Sequence, residues 1–326
     1  MRRTVSLTLW PPRLPAANPV LVRELRGRFR GREAFIVLTL AQLAMLLLVL
    51  LALRSLQGYG NYYGNPTSVP GAMFGQTILS TLAFTLLFIV SVIAPGLSFN
   101  TISGEKERRT WDLLVATPLA LRSIVRGKYL AALAYVALLA FSALPFFSLA
   151  FLFGGITPWR VLNVTAILLS AGALYAAVAL FVSTVVGRTG RAAVVSFLSV
   201  VLVTFAPFWL AWLFEILGDV LGVSMGWDWF FGGDTGLACL WPIARLFGVV
   251  GGSSAMDTRS LGIVVVLGTH LACAEALMFG AAGNIRAQLE GRRGMLAGFG
   301  WLAIVAIIWG IAAVLMQMIV TATGSC

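Results

Sequence analysis

Seven long apolar stretches alternate with short polar loops in this sequence, and this alternation constrains the fold more than any other feature. The stretches cover residues 34–53, 76–98, 129–153, 161–186, 192–214, 261–283 and 295–320. Each has about the 20 residues that an α-helix needs to cross ~30 Å of hydrocarbon. Charged residues make up only 11% of the chain, against about a quarter in soluble domains. The sequence therefore predicts an all-α, polytopic membrane protein.

The basic residues indicate how these spans are oriented. If the N-terminus lies inside, every Lys and Arg except Arg54, Arg160, Arg245 and Arg259 also lies inside. The positive-inside rule then predicts a multi-pass protein of the plasma (inner) membrane, with a cytoplasmic N-terminus and, after seven spans, an outside C-terminus. The net charge of +11 follows this topology, so we expect no nucleic-acid partner. Two prolines break the first apolar run, and we expect no cleaved signal peptide.

The longest charged run, residues 99–128, joins the second and third stretches. Its middle, EKERRTWDLL, cannot lie in hydrocarbon, because a buried charge costs several kcal/mol there. Acidic residues followed by apolar residues at i, i+3 and i+4 predict an amphipathic helix over 105–116, which Pro118 ends. The residues predicted to act here are Glu105, Glu107, Arg108, Arg109, Trp111, Leu114 and Val115.

A second short helix is predicted over residues 120–128, running into the third span. Ile124 and Val125 are expected on one face, and Arg122, Arg126 and Lys128 on another. Two interpretations fit the whole segment. It is either a docking element for a cytoplasmic partner or a solvated loop that only fixes the topology. The amphipathic spacing and the defined ends favour docking.

The segment before the first span predicts a helix that lies in the membrane interface. Asn18-Pro19 is a typical helix start. Leu21, Leu25 and Phe29 follow at i, i+4 and i+8, and arginines cover most of the remaining surface. The interfacial residues of interest are Arg23, Glu24, Leu25, Arg28 and Phe29, with Glu24 placed to pair with Arg28. The alternative is that these arginines only fix the topology.

Two further regions are less regular. Residues 215–260 are predicted to form an outer loop, in which the apolar piece 236–250 is too short to cross and fits a re-entrant segment. In the sixth span, Glu275 and His270 are ionisable. Such residues are candidates for a transport pathway or for a polar contact between helices. They lie about 140° apart around a helix, so a shared site is not expected.

Sequence motifs for catalysis are absent. The sequence contains no G-x-x-x-x-G-K-[ST] phosphate loop, and its single His and three Cys have no metal-ligand spacing. We therefore expect no catalytic residue, no bound metal and no cofactor held by this chain.

ISGEKERRTWDLLVATPL followed by RSIVRGKYL resembles the loop between the second and third membrane helices of ABC-2 type (ABCG-like) transporter permeases. NPVLVRELRGRFR resembles the N-terminal interfacial helix of the same family. The resemblance implies a six-helix core, a separate ATPase subunit that holds ATP and Mg, and a second permease subunit in a homo- or heterodimer. The seventh span departs from the family's pattern, and we interpret it as an appended helix.

The chain is therefore expected to be the permease subunit of an ATP-driven exporter. Its expected divisions are a cytoplasmic N-terminus with the interfacial helix (1–33), spans one and two (34–98), a cytoplasmic coupling loop (99–128), spans three to five (129–214), an outer loop (215–260), and spans six and seven (261–320). Two alternatives remain: an intramembrane enzyme using Glu275 and His270, or a membrane anchor or assembly factor without transport.

Overall fold

The structure is a computed structural model, which describes residues 18–62, 71–116, 119–221, 240, 242–243, 246, 260–290, 304–315 and 318. Within these ranges all regular elements are helices. They are α1 (Pro19–Arg30), α2 (Arg32–Tyr62), α3 (Gly71–Ser98), α4 (Asn100–Glu107), α5 (Trp111–Val115), α6 (Leu121–Leu152), α7 (Pro158–Val185), α8 (Thr189–Leu221), α9 (Ser260–Leu289) and α10 (Ile304–Leu315).

The apolar helices coincide with the predicted spans. Five are long and apolar enough to cross a membrane, namely Ala34–Ser55, Met73–Glu107, Leu121–Leu152, Pro158–Val185 and Ile263–Leu289. Of two shorter apolar helices, Thr189–Phe205 overlaps the fifth predicted stretch and Ile304–Leu315 lies within the seventh. The prediction of an all-α, polytopic membrane protein is confirmed.

Helix α7 lies at the centre of the bundle, where it contacts α3, α6, α8 and α9. Nearly all its residues are buried, and many of them are Ala, Gly or Ser. At Gly172, an added Cβ would lie 2.5 Å from Val136 Cγ1 and 3.0 Å from Val90 Cγ1. Small residues allow membrane helices to approach this closely. The other spans therefore pack around α7 with little room for change at Gly172.

Helix α3 continues beyond its apolar stretch. Only Phe99 separates α3 from α4, and the Phe99 N–H donates to the Pro95 carbonyl at 2.9 Å, as inside a helix. The resulting helix from Met73 to Glu107 has 35 residues. It is about 50 Å long, which exceeds the ~30 Å hydrocarbon layer. The charged segment predicted as a loop from residue 99 therefore begins as an extension of α3.

The single helix predicted over residues 105–116 is wrong. Helices α4 and α5 meet at a corner formed by residues 108–110, where Arg109 has a left-handed φ of 55°. Glu105 and Glu107 consequently lie in the last turn of α4, not in the first turn of a helix as predicted. No local signal in the sequence marks this corner, because neither Gly nor Pro stands there.

Residues 120–128 do not form a separate helix. α6 begins at Leu121 and continues without a break through the third span to Leu152. Ile124 and Val125 are buried as expected, while Arg122 and Arg126 are exposed. Lys128 was predicted on the charged face, but it is buried.

Several predictions lie partly outside the described residues. They concern the N-terminal segment 1–17, the helix stop at Pro118, the course of the re-entrant segment 236–250 and the basic residues at 292–293. Within the predicted outer loop, α8 extends to Leu221, and Glu215 and Asp219 are exposed on it.

Candidate functional site

Three consecutive charged residues at the end of α4 bond to different helices. We call Glu105, Lys106 and Glu107 the EKE triplet. Because α4 extends α3 beyond the apolar part of the bundle, the triplet lies where the ends of other spans converge. Consecutive residues of an α-helix point about 100° apart, so the three side chains can reach different neighbouring helices.

Glu105 reaches α6 through a buried lysine. Lys128 Nζ donates to Glu105 Oε1 at 2.9 Å and to Glu24 Oε1 of α1 at 3.0 Å. The Lys128 side chain is 3% exposed and both carboxylates are 25% exposed. A lysine is rarely buried to this degree unless it is paired. One ammonium group therefore joins α1, α4 and α6.

Lys106 reaches α7 and α9. Its Nζ donates to the Thr184 carbonyl at 2.9 Å and to Gln288 Oε1 at 2.8 Å. Gln288 Nε2 donates to the same Thr184 carbonyl at 2.9 Å. Thr184 lies in the last turn of α7, where carbonyl groups have no partner within the helix. Lys106 therefore caps the C-terminal end of the central helix and ties α9 to it.

Glu107 caps the start of α8. The Thr189 N–H donates to Glu107 Oε1 at 2.8 Å, and the Thr189 hydroxyl donates to Oε2 at 2.6 Å. A carboxylate at a helix N-terminus satisfies free N–H groups and complements the helix dipole. The triplet thus contacts α6, α7, α8 and α9 directly and α1 through Lys128.

The start of α4 is held to α7 in the same way. The interruption at Phe99 leaves N–H groups free in the first turn of α4. Ile102 and Ser103 both donate their N–H groups to the Ser183 hydroxyl, at 3.1 and 3.0 Å. The central helix therefore holds α4 at both of its ends, through the Ser183 hydroxyl and the Thr184 carbonyl.

The exposed and buried side chains of α5 are not those that the sequence predicted. Trp111 is 7% exposed and belongs to the main hydrophobic core, against which Leu114 and Val115 pack. Of the predicted apolar stripe, Trp111 is therefore buried inside the protein, while Leu114 and Val115 are partly exposed. Leu113 is 72% exposed instead, beside the exposed residues Arg108, Arg109, Thr110 and Asp112. We call the exposed residues Arg108, Arg109, Thr110, Asp112 and Leu113 the exposed corner.

Helix α1 packs closely against the start of α6. Asn18 accepts the Val20 N–H on Oδ1 at 3.1 Å and donates from Nδ2 to the Ser123 carbonyl at 2.6 Å. At Gly127 an added Cβ would lie 3.0 Å from both Asn18 Nδ2 and Val20 Cβ. The residue at 127 must therefore be small for α1 to lie where it does.

The predicted residues of α1 have distinct environments. Glu24 Oε2 lies 3.7 Å from Arg28 Nε, as the i,i+4 spacing predicted. Phe29 stacks on Tyr135 with ring centroids 5.9 Å apart, Leu25 is half-buried and Arg23 is exposed. Burial raises the pKa of Glu24, but Lys128 and then Arg28 and Arg23 outweigh this effect and hold its pKa below the ordinary value.

Glu275 and His270 do not meet. Glu275 is half exposed and pairs with Arg126, near the start of α6, at 3.1 Å. His270 is buried, with Nδ1 2.9 Å from Ser170 Oγ and Nε2 3.0 Å from the Leu240 carbonyl. Glu275 lies midway along the span Ile263–Leu289, as predicted from the sequence, and its carboxylate pairs with a residue near the start of α6. Among the described residues, no three His, Cys, Asp or Glu side chains could hold a metal ion.

This arrangement defines a class of protein: a bundle of membrane helices whose ends are tied together by one charged helix. Residues 20–225, more than half of the chain, match the model of a family described as ABC-2 family transporter protein. The chain therefore belongs to the ABC-2 family of transporter proteins, and it is a membrane permease component of an ABC transporter. A search of the curated proteins gave no match.

Proposed function

We propose that this chain is the membrane-spanning subunit of an ATP-driven exporter, energised by a separate ATPase that docks on the exposed corner. The observation that carries the proposal is the EKE triplet, which links the corner to the ends of five other helices. A force applied at the corner would reach the spans through these bonds.

The exposed corner has the composition of a small protein contact. Leu113 is a large apolar side chain that is 72% exposed, and the exposed charged residues Arg108, Arg109 and Asp112 lie near it in the sequence. An isolated exposed leucine is ordinary, but an apolar centre with a charged rim is typical of protein interfaces. Trp111 belongs to the hydrophobic core, and Leu114 and Val115 pack against that core. The ATPase would therefore contact Leu113, and these three side chains would transmit the load to the bundle.

In the proposed cycle, ATP and Mg bind to the ATPase and not to this chain. Closure of the ATPase would displace α5 and, with it, α4. The displacement would reach α7, because α4 is fixed to α7 through Ser183 and Thr184. The displacement would reach α8 through Thr189 and α6 through Lys128. The spans would then alternate between inward-open and outward-open arrangements.

The remaining features of the proposal come from the family. A second permease subunit, identical or different, would complete the pathway. The chain would lie in the plasma membrane with α1, the EKE triplet and the exposed corner on the cytoplasmic side, in agreement with the positive-inside rule. The enzyme alternative has no geometric support, since Glu275 and His270 have separate partners.

The docking step is tested by purifying the full chain in mild detergent from its own membranes and identifying co-purified proteins by mass spectrometry. We expect a P-loop ATPase, with Mg-ATP hydrolysis in the eluate. Leu113→Asp should remove both, while Leu113→Met should keep them. Both variants should insert normally, because Leu113 is 72% exposed. An ATPase that stays bound to Leu113→Asp at the wild-type yield would refute docking at this corner. An ATPase lost equally from Leu113→Met would count against an apolar contact.

A further inference from the structure

A cavity of about 660 Å³ lies between α1 and the facing parts of α2 and α3, and it reaches α6 and α8. Its volume is within the roughly 300–1,000 Å³ of ordinary ligand sites. The residues that matter here are Arg23, Gly27 and Arg28 of α1, Val37 of α2, and Val92, Ile93 and Gly96 of α3.

The cavity is charged at one level and apolar at the next. Arg28 lies level with the end of α3, since its Nη2 donates to the Leu97 carbonyl at 2.8 Å. Val92 and Ile93 lie one turn further into the span, where α2 contributes Val37. A ligand that filled this space would need an anionic head and an apolar tail.

The charged level carries an excess of positive charge. The Glu24 carboxylate lies 3.0 Å from Lys128 and 3.7 Å from Arg28, and Lys128 also pairs with Glu105. Two carboxylates therefore face Lys128, Arg28 and the nearby Arg23. The Nη1 atom of Arg28 is buried and has no acceptor among the residues that the structure describes.

The apolar level is continuous with the outer surface of the bundle. Val92 lines the cavity and is 45% exposed, and the neighbouring Phe88 is 70% exposed. On α2, Phe35 is 74% exposed. In a membrane protein such side chains face lipid, so the cavity can be filled from the bilayer.

We propose that this cavity binds one anionic glycerophospholipid from the leaflet on the α1 side, with its phosphate on Arg23 and Arg28. An acyl chain would lie along Val37, Val92 and Ile93. A free phosphate has the same head-group chemistry but would leave the apolar level empty. The lipid would hold α1 against α3, next to the Lys128 ion pairs. This site does not depend on ATPase docking or on the direction of transport.

Native mass spectrometry of the full chain in detergent, with added phosphatidylglycerol or phosphatidylcholine, tests the proposal. Wild type should bind one phosphatidylglycerol in preference to phosphatidylcholine. Arg23→Gln should weaken this binding roughly fivefold, a typical effect of one basic residue on an anionic lipid. Gly96→Leu should fill the cavity, because a Cβ there meets nothing within 4 Å. Gly27 has the same open space, and Gly27→Leu provides a second filling variant.

Two variants serve as controls. Arg30→Gln removes an exposed arginine of the same helix that does not line the cavity, and Gly268→Leu adds the same side chain at another open glycine. Both should bind phosphatidylglycerol as the wild type does. The midpoint of thermal unfolding without phosphatidylglycerol should be the same for all variants. Equal midpoints would show that every variant folds.

Three results would overturn the proposal. Undiminished lipid binding by Arg23→Gln and both filling variants would remove the site. An equal loss in Arg30→Gln would show only general attraction to basic residues. Displacement of the lipid by inorganic phosphate or glycerol 3-phosphate at similar concentrations would show a site for a free anion and no role for the acyl chain.

Discussion

The ammonium group of Lys128 donates a hydrogen bond to Glu105 at 2.9 Å, although the two residues stand on different helices, 23 positions apart. Glu24 accepts a second bond from the same group at 3.0 Å. Removal of one member of a buried ion pair leaves an uncompensated charge, which is more costly than the pair itself is stabilising. Lys128 therefore holds both α1 and α4 to α6, in addition to the bond between Asn18 and Ser123.

Replacement of Lys128 should destabilise the protein more than removal of the whole cluster. Lys128→Met should lower the free energy of unfolding by about 3 kcal/mol, because Glu105 loses its cation and Glu24 keeps only its longer contact with Arg28. The triple variant Lys128→Met/Glu24→Gln/Glu105→Gln should recover most of this loss. Thermal unfolding in detergent measures both. A triple variant that is less stable than Lys128→Met would contradict the ion-pair account.

The cap that Glu107 provides at α8 should be measurable locally. Glu107→Ala removes both acceptors of Thr189. We expect the amides in the first turn of α8 to exchange faster, because the loss of the cap leaves N–H groups there without an acceptor. Hydrogen exchange of the amides of residues 189–193 reports it. Glu290→Ala, in the exposed Arg286–Glu290 pair, should leave these amides unchanged. Unchanged exchange in Glu107→Ala would show that the cap does not stabilise α8.

Gly172 should tolerate no larger residue. Gly172→Ala places a Cβ 2.5 Å from Val136 Cγ1 in the centre of the bundle. Overpacking of this kind costs about 1–3 kcal/mol. Gly268→Ala, where the added Cβ meets nothing within 4 Å, should be neutral or slightly stabilising. The thermal midpoint separates the two, and the additional change Val136→Ala should restore part of the loss. Equal midpoints for the two single variants would be inconsistent with the packing described around α7.

The attachment of α1 should depend on pH through Glu24. Its pKa is lower in the folded protein than its ordinary value of 4.5. The stabilisation that ionised Glu24 contributes is therefore fully present above pH 4.5. It is lost as the pH falls through the lower pKa of Glu24 in the folded protein. Hydrogen exchange in residues 19–30, corrected for intrinsic rates, should increase below that pH. Glu24→Gln should be weaker at pH 7 and should lack this dependence. If hydrogen exchange in residues 19–30 of the wild type did not increase at low pH, Glu24 would not control the attachment of α1.

The sequence predicted the spans well because their signal is local. Length and apolar composition determine whether a helix can cross a bilayer, and both can be counted along the chain. The start of α1 was predictable for the same reason, since the Asn18 cap is formed within three residues. The Glu24–Arg28 pair likewise follows from helix spacing.

The contacts of the charged segment were not predictable in this way. Spacing alone placed Trp111 outward, but five residues of α5 do not fix which face meets the core. Lys128 was assigned to the surface because lysine is mostly exposed, and only its two distant carboxylates explain its burial. The partner of Glu275 is not predictable from spacing either, because the sequence does not show that α6 begins at Leu121 and brings Arg126 alongside it.

The central claim is that the ATPase contacts the exposed corner, and site-specific photo-crosslinking tests it most directly. A benzophenone amino acid would replace Leu113 in one sample and Leu152 in the other, at the opposite end of α6. Both positions are highly exposed, at 72% and 80%. We expect a permease–ATPase crosslink from position 113 and none from position 152. A crosslink to the ATPase from position 152 and not from position 113 would contradict it.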